Sequence, residues 1–458
     1  MKHYDAIIIG TGQAGPALAR RLAGSGKTVA IIERKLFGGT CVNTGCTPTK
    51  ALVASAYAAF LTRRAADFGV MIDSSPRVDI KRVKARMRAI VSPSTTGVER
   101  SLRNAENCTV YHDHARFVAP HEVAVGDDVI KADRIFINVG GRAAVPDMPG
   151  LDQVDYLTNS SLLELDVLPK HLVIIGGSYI GLEFAQIYRR FGSEVTVIEM
   201  SSRLVPREDE DVSASIRDIL EAEGINIRLN AQCISLGKRG GDITAQVDCT
   251  EGAPEVAGSH LLLAVGRRPN IDDLGLDKAG IATDEKGYIT VDDELRTNVP
   301  GIWAMGDCNG KGAFTHTAWN DFEIVAANLL DKDTRRVSDR IPAYNLYIDP
   351  PLGRVGMTEA QVRKSGRPAL IATMPMEDVG RAFEKSETKG FMKVLVDQET
   401  KQILGAAILG TGGDEAIHCL LDLMYARAPY TVMQRAMHIH PTVSEFVPTM
   451  MGDFRPLG

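Results

Sequence analysis

The stretch AIIIGTGQAG, residues 6–15, decides the fold. An apolar run leads directly into a glycine-rich turn, and the turn opens a predicted helix that continues through Leu22. A second apolar run, residues 28–32, follows and ends at Glu33. In a dinucleotide-binding βαβ unit, the glycines let the backbone approach a pyrophosphate and the acidic residue binds a ribose. The stretch therefore predicts a Rossmann-like unit, whose dinucleotide-binding residues are Gly10, Gly12, Gly15 and Glu33.

The same unit occurs a second time, beginning with LVIIGGSYIG at residues 172–181. A predicted helix continues through Arg190, and a strand at residues 194–198 ends at Glu199. Ser178 stands where the motif has its central glycine, which weakens the second match slightly because the backbone there must approach a pyrophosphate closely. Two such units predict two bound nucleotides and an α/β fold with buried parallel sheets.

Length and composition indicate an ordinary globular protein of about three domains, because the chain has 458 residues. It carries 52 Lys and Arg against 58 Asp and Glu, a net charge of −6, and no basic stripe, so a nucleic-acid partner is not expected. A predicted strand begins within a few residues of Met1, which leaves no room for a signal peptide. No apolar run approaches the roughly 20 residues that span a bilayer. We expect a soluble, cytoplasmic protein with no membrane partner.

Residues 38–50, GGTCVNTGCTPTK, place Cys41 and Cys46 between the first unit and a predicted helix at residues 51–64. A disulfide here would close a very short loop, where the entropic stabilisation is smallest, so a structural role is poorly motivated. In a reducing compartment such a bridge is more often catalytic, and a helix N-terminus stabilises a thiolate. The alternative is a metal site, but no second Cys or His pair lies close in sequence. The pattern favours a redox-active pair, and no metal ligands are predicted.

The remaining five cysteines stand alone in the sequence, and we expect them to be small buried hydrophobic side chains. They are Cys108, Cys233, Cys249, Cys308 and Cys419.

The segment 38–50 resembles the redox-disulfide motif of the pyridine nucleotide-disulfide oxidoreductases with a Cys-x4-Cys pair. These include lipoamide dehydrogenase, glutathione reductase and mercuric reductase, and the resemblance covers nearly the whole chain. It implies two Rossmann-like dinucleotide-binding domains and a C-terminal α+β dimerisation domain. The implied boundaries are 1–150 with 271–335 for FAD, 151–270 for NAD(P) and 336–458 for dimerisation.

The resemblance implies that the first glycine motif and Glu33 bind FAD. Asp307 would bond the ribityl chain, and the segment 314–318 would open a helix beside the flavin pyrimidine ring, where a helix N-terminus stabilises an anion. Lys50 would pair with Glu183 near the flavin N5. The implied FAD contacts beyond the glycine motif are Thr40, Asp307, Thr315 and His316.

The second motif is implied to bind the nicotinamide nucleotide through Gly176, Gly181 and Glu199, with Tyr179 as an aromatic lid over the nicotinamide pocket. Because the Glu199 carboxylate would repel a 2′-phosphate, we expect NADH to be preferred over NADPH. Arg203, four residues after Glu199, could reduce that preference by binding the 2′-phosphate of NADPH.

Near the C-terminus, HIHPTVSE at residues 438–445 resembles the family's acid–base motif. The resemblance implies that His440 moves the proton and that Glu445 orients it. In the family this histidine reaches the active site of the other subunit, so a homodimer is implied.

The strings WAMGD (303–307) and PPLGRVGMTE (350–359) most resemble a mercuric-reductase-like branch, which includes the bacterial flavoprotein of reactive-chlorine resistance. The implied reaction passes electrons from NAD(P)H through FAD to Cys46, while Cys41 exchanges with a small-molecule acceptor. That acceptor would be a disulfide, an oxidant-derived species or a metal ion. The vicinal cysteines of true mercuric reductases are missing near the C-terminus, and the His-Pro pair that those enzymes lack is present. Two alternatives are a dihydrolipoyl dehydrogenase and a non-catalytic, flavin-bound redox sensor.

Overall fold

A computed structural model of the chain describes residues 1–74, 76–248 and 252–458, and at Cys233 it describes the backbone alone. The expected burial of Cys249 therefore lies outside the described residues, as does that of the Cys233 side chain.

The first parallel sheet is built around the opening strand, in which Ala6, Ile7 and Ile8 have no exposed area. Complete burial of consecutive residues is typical of a parallel strand covered on both faces. The parallel strands, in order across the sheet, are Cys108–Tyr111, Val29–Ile32, Lys2–Ile9, Asp128–Ile137 and Ile302–Ala304. Two antiparallel strands extend the sheet, Ala115–Ala119 and Glu122–Val125. The helices of this part are Ala14–Gly24, Gly39–Asn43, Cys46–Arg63, Ile80–Arg103, Leu276–Ala279 and Thr315–Ala326.

The second parallel sheet repeats the arrangement around the second glycine motif. Its strands, in order, are Asn226–Arg228, Glu194–Ile198, His171–Ile175 and His260–Leu263. A separate antiparallel sheet consists of Gln232–Arg239, Asp242–Asp248 and Glu255–Gly258. The helices are Asn159–Glu164, Tyr179–Phe191 and Glu210–Ala222. The chain passes between the two parallel sheets at a short antiparallel pair, Gly141–Ala143 with Arg267–Pro269.

The C-terminal part is a six-stranded antiparallel sheet packed against short helices. Its strands, in order, are Ala343–Leu346, Leu352–Gly356, Ile403–Leu409, Phe391–Asp397, Ala369–Pro375 and Arg455–Pro456. Its helices are Glu359–Ser365, Gly380–Glu384, Gly413–Ala416, His418–Tyr425, Thr431–Gln434 and Phe446–Met450. Two Rossmann-like units followed by an α+β part confirm the predicted fold class.

Three local expectations differ from the structure. The helix after the cysteine pair begins at Cys46 and not at residue 51, so Cys46 itself occupies the first helical turn. The sequence also predicts one helix near residues 415–426, and the structure has two short helices there, Gly413–Ala416 and His418–Tyr425, on either side of Ile417. Of the solitary cysteines, Cys308 is buried, but Cys108 and Cys419 are only half-buried.

A buried ion cluster joins the second unit to the C-terminal sheet. The Lys393 side chain has no exposed area, and its Nζ lies 3.0 Å from Asp209, 2.8 Å from Asp211 and 3.2 Å from Glu359. These three carboxylates lie within reach of one common cation. The Lys393 ammonium supplies that positive charge, so the cluster is an internal contact between two parts of the chain.

Within the described residues, every helix is too short or too polar to cross a bilayer.

Candidate active site

The two glycine loops have the same construction. A Cβ at Gly15 would lie 2.3 Å from the Gly10 carbonyl oxygen, and a Cβ at Gly181 would lie 2.1 Å from that of Gly176. Each motif therefore needs its last glycine so that the helix can start against the preceding strand. Ser178, by contrast, has a φ of −118°, which any residue adopts, so its place at the central glycine position is explained.

An acidic side chain accepts hydrogen bonds from the backbone at each loop, a role beyond the ribose binding that the sequence predicts. Glu33 accepts hydrogen bonds from the Thr11 backbone at 3.1 Å and the Thr11 hydroxyl at 2.6 Å. Glu199 accepts from the backbone N–H groups of Gly177 at 2.6 Å and Ser201 at 2.8 Å. Both carboxylates lie at the carboxyl ends of parallel strands, where nucleotides bind in such sheets.

A cavity of about 1560 Å³ runs from the first glycine loop past the cysteine pair to Tyr179. Its walls include nearly all of the residues expected around FAD, namely Gly10, Gly12, Glu33, Thr40, Cys41, Cys46, Lys50, Glu183, Asp307, Thr315 and His316. The cavity reaches Tyr179 and Ile180 of the second motif, and Gly10 and Gly12 leave its wall at the first motif free of side chains. The residues present therefore fit a bound FAD. Among the described residues, Gly176, Gly181, Glu199 and His440 lie outside this lining.

Cys41 lies in the middle of the short helix Gly39–Asn43, and Cys46 is the first residue of the next helix, after a tight turn. Cys46 Sγ is exposed to the cavity and lies 3.2 Å from the Thr315 hydroxyl. The pKa of Cys46 is lowered to about 6, chiefly by a hydrogen bond from the Cys41 thiol; the Thr315 hydroxyl and the Lys50 ammonium act in the same direction, and burial opposes them. The same hydrogen bond, together with burial, raises the pKa of Cys41. The pair therefore holds one thiolate, on Cys46, and one thiol, on Cys41.

The predicted pair of Lys50 and Glu183 is present, with 2.5 Å between Lys50 Nζ and Glu183 Oε2. Glu183 is buried and also accepts a hydrogen bond from the Tyr347 backbone at 3.0 Å. The Lys50 ammonium lies 4.4 Å from the centre of the Tyr347 ring. These contacts fix a positive charge on the helix that begins at Cys46.

Asp307 is half-buried, and burial raises its pKa, although Arg267 Nε lies 3.4 Å away and opposes the shift. The turn that carries Asp307 is held by Asp321, which accepts the Gly306 N–H at 2.6 Å. His316 follows Thr315 in the first turn of its helix, and its Nε2 lies 2.7 Å from the Ala343 carbonyl oxygen. The structure thus places Asp307, Thr315 and His316, which the resemblance assigns to FAD, in the wall of the same cavity.

His440 and Glu445 form the predicted pair, with 3.1 Å between His440 Nδ1 and Glu445 Oε1. The His440 side chain is 79% exposed, whereas that of Glu445 is 16% exposed. The neighbouring Met437 and Ile439 are 99% and 80% exposed. Within one chain, His440 is not brought to the cysteine pair. Exposed apolar side chains beside a polar pair are typical of a surface that another protein covers.

Sequence reasoning missed several residues that shape the site. The Asn138 side chain donates to the Gly12 carbonyl oxygen at 3.1 Å and so supports the first glycine loop. It follows a strand directly beside the opening strand, and the rule that parallel strands end at one edge could have indicated it. Arg267 and Asp321 come from distant segments and leave no local signal.

Two dinucleotide-binding units that open onto one cysteine pair define a flavin-dependent disulfide oxidoreductase. Residues 4–321 match the family described as "Pyridine nucleotide-disulphide oxidoreductase", and residues 342–451 match its dimerisation domain. The chain belongs to the pyridine nucleotide-disulfide oxidoreductase family. The resemblance stated from the sequence is thereby confirmed.

Two relatives and one solved structure are similar over nearly their full lengths. The "Probable pyridine nucleotide-disulfide oxidoreductase RclA" of Escherichia coli strain K12 is 37% identical over 97% of this chain and 98% of its own. A "Mercuric reductase" of Streptomyces lividans is 34% identical over 96% of this chain and 94% of its own. The solved structure is the Cu(II) complex of the HOCl-induced flavoprotein disulfide reductase RclA from E. coli, with a TM-score of 0.89 and 35% identity, covering 98% of this chain and 99% of that one.

Proposed function

We propose that the protein uses NADH to reduce a small disulfide, or another acceptor whose reduction requires protons, through Cys41 and Cys46. The observation that carries the proposal is the position of both cysteines in the wall of the cavity that runs from the first glycine loop to Tyr179, with Cys46 Sγ 3.2 Å from the Thr315 hydroxyl. The directions of the two pKa shifts, lowered at Cys46 and raised at Cys41, agree with a thiolate beside a thiol. A thiolate beside a thiol is the reduced state from which disulfide exchange starts.

The first glycine motif, Glu33, Thr40, Asp307, Thr315 and His316 would hold FAD, and Gly176, Gly181 and Glu199 would hold the nicotinamide nucleotide. When bound, FAD accepts a hydride from the nicotinamide and delivers two electrons to a disulfide. The proposed domains are residues 1–150 with 271–335, 151–270 and 336–458.

The acceptor step uses Cys41 as the exchanging sulfur. Once deprotonated, Cys41 attacks one sulfur of the acceptor disulfide, which breaks the S–S bond, forms a mixed disulfide and releases the first thiol. The Cys46 thiolate then attacks Cys41, restores the Cys41–Cys46 disulfide and releases the second thiol. Because the pKa of Cys41 is raised, a base has to take its proton, and the leaving thiolates have to be protonated.

His440 of a partner subunit would supply that proton transfer in a homodimer. It is exposed, lies on the part of the chain that matches the dimerisation domain, and does not line the cavity within its own chain. Glu445 would fix the tautomer of the imidazole by accepting from its Nδ1.

Assay of NADH consumption with a panel of disulfides and metal ions tests the proposal. Turnover with at least one disulfide, lost in the cysteine variants, supports it. Efficient turnover with dihydrolipoamide and NAD⁺ would indicate a dihydrolipoyl dehydrogenase instead. No turnover, and no thiolate band in the reduced protein, would indicate a flavin-bound sensor.

Gly15→Ala and Gly181→Ala form a matched pair that separates the two nucleotide sites. Each adds one methyl group at 2.1–2.3 Å from a backbone oxygen, so the helix start has to shift. We expect Gly15→Ala to purify with little FAD, measured by flavin absorbance. Gly181→Ala should keep its FAD but bind NADH at least about tenfold more weakly. Equal loss of FAD in both variants would contradict the assignment.

NADH should be the better electron donor. The Glu199 carboxylate is fixed by two backbone N–H groups at the end of its strand, where a 2′-phosphate would meet like charge. We expect kcat/KM to be roughly tenfold higher with NADH than with NADPH, and we expect Glu199→Gln to bring the two kcat/KM values closer together. Higher kcat/KM with NADPH in the wild-type enzyme would overturn this assignment.

Metal-ion reduction is the second candidate, because the similar RclA structure holds Cu(II) and the Streptomyces relative is named as a mercuric reductase. Soft thiolates bind both ions, so the Cys41–Cys46 pair would bind them here. We propose that such reduction is slower than disulfide reduction, since two sulfurs that hold a metal tightly also oppose its release.

A further inference from the structure

Three aromatic rings from three parts of the chain meet where the second nucleotide motif faces the cavity. Tyr179 packs edge-to-face on Tyr344, with centroids 5.6 Å apart, and on Phe314, with centroids 6.0 Å apart. Tyr344 and Phe314 are stacked at 5.7 Å with 9° between their planes. The proposed lid residue therefore rests on two rings, and its position depends on theirs.

A buried carboxylate fixes the Tyr344 ring. The Tyr344 hydroxyl donates to Glu208 Oε1 at 2.6 Å, and the Glu208 side chain has no exposed area. Its other oxygen, Oε2, lies 3.7 Å from Arg354 Nε and has no hydrogen-bond partner among the described residues. A hydrogen bond to a fully buried carboxyl group has no competing water, so Tyr344 is held in one orientation.

Glu208 is in turn attached to the second glycine loop. The Val205 N–H donates to the Gly177 carbonyl oxygen at 2.9 Å, and the Glu208 N–H donates to the Val205 carbonyl oxygen at 2.8 Å. Val205 has a φ of +42°, a strained conformation for a β-branched residue. Such strain persists only where the surroundings fix the backbone, and here the glycine loop lies on one side and Glu208 on the other.

The C-terminal sheet fixes Glu208 from the opposite side. Arg354 is 1% exposed, and its Nη2 donates to Asp209 Oδ2 at 2.9 Å. Asp209 is also paired with Lys393 at 3.0 Å. The Glu208 carboxyl group therefore lies beside a network of buried ion pairs that joins the second unit to the C-terminal sheet.

We propose that Tyr344 is a positioning residue for the nicotinamide nucleotide: anchored by Glu208, it fixes the ring against which Tyr179 closes. The contact chain thereby links the glycine loop that receives the nucleotide to the lid that covers it. This inference rests on the proposed function, in which Gly176 and Gly181 bind the nucleotide.

Tyr344→Phe in the FAD-containing enzyme tests this inference, because it removes the hydroxyl and keeps the ring stack. We expect NAD⁺ to bind roughly 3- to 10-fold more weakly by calorimetry, the effect of losing one hydrogen bond, and the KM for NADH to rise by a similar factor. The KM for the disulfide and the FAD content should stay at their wild-type values. Tyr57→Phe is the matched control, since it removes a Tyr–Glu hydrogen bond of the same 2.6 Å length, to Glu387, away from the lid.

Variants of Glu208 distinguish a positioning role of Tyr344 from a general loss of protein stability. Glu208→Gln keeps an oxygen acceptor for Tyr344 and should bind NAD⁺ like the wild-type enzyme. Glu208→Ala should bind it as weakly as Tyr344→Phe, and combining the two changes should weaken binding no further. Unchanged NAD⁺ binding in Tyr344→Phe, or an equal loss in Tyr57→Phe, overturns the inference. Calorimetry needs no electron acceptor, so NAD⁺ binding can be compared even if the enzyme fails to reduce any disulfide. If the wild-type enzyme does not bind NAD⁺, the proposed nucleotide site itself is wrong.

Discussion

Cys41→Ser is expected to retain a long-wavelength absorption band in the resting enzyme, whereas Cys46→Ser is expected to lose it. A thiolate in contact with oxidised flavin produces such a charge-transfer band. Cys46 is the sulfur whose pKa is lowered to about 6, and it lies 3.2 Å from the Thr315 hydroxyl on the helix expected beside the flavin. With Cys41 replaced, Cys46 has no disulfide partner and remains a thiolate, since a serine hydroxyl still donates a hydrogen bond to it.

Both variants should lose disulfide reduction by at least about a thousandfold, because exchange requires both sulfurs. In Cys41→Ser the band should strengthen as the pH rises and fade at acid pH, because the thiolate is the form that gives the band and the Thr315 and Lys50 contacts still lower the pKa of Cys46. Cys108→Ser, a change at a half-buried thiol outside the cavity lining, is the control and should keep full activity. A band in Cys46→Ser and none in Cys41→Ser would show that the roles of the two cysteines are reversed.

The parts of the fold that could be predicted are those in which backbone geometry dictates the residue. Gly15 and Gly181 each face a backbone oxygen at a distance that excludes a Cβ, so glycine is required and the motif is visible in the sequence. Glu33 and Glu199 could be placed for the same reason, since each lies where its strand must end beside the glycine loop. Cys41 and Cys46 were identifiable from their spacing and from the helix that follows.

The contacts that join distant segments could not be predicted. Glu208 lies 136 residues before Tyr344, which pairs with Arg354 across two neighbouring strands of the C-terminal sheet, and each looks like an ordinary polar or aromatic residue. Their relation depends on how the C-terminal sheet packs on the second unit, which no local pattern encodes. The beginning of the helix Cys46–Arg63 was also placed too late, at residue 51, although Pro48 lies in its first turn, where proline is well tolerated.

His440→Ala is expected to slow disulfide reduction by about 10²- to 10⁴-fold, the usual contribution of a positioned acid–base group, and to leave metal-ion reduction nearly unchanged. The raised pKa of Cys41 means that a base has to generate its thiolate before exchange begins. A metal ion accepts electrons without requiring a proton, so its reduction should not depend on His440. His438→Ala is the matched control, because this half-buried neighbour belongs to the same segment but has no hydrogen bond to Glu445 among the described residues.

Mixed dimers show which subunit supplies the histidine. A dimer of one His440→Ala chain and one Cys41→Ser chain contains one site with both an intact Cys41 and a partner's His440. If the histidine acts across the interface, this mixture regains disulfide reduction, although each variant alone is inactive. If the histidine acts within its own chain, neither site is complete and the mixture stays inactive.

Efficient turnover of mercuric or cupric ion, together with no effect of His440→Ala on any disulfide, would contradict the proton-coupled reaction and favour a metal ion as the acceptor.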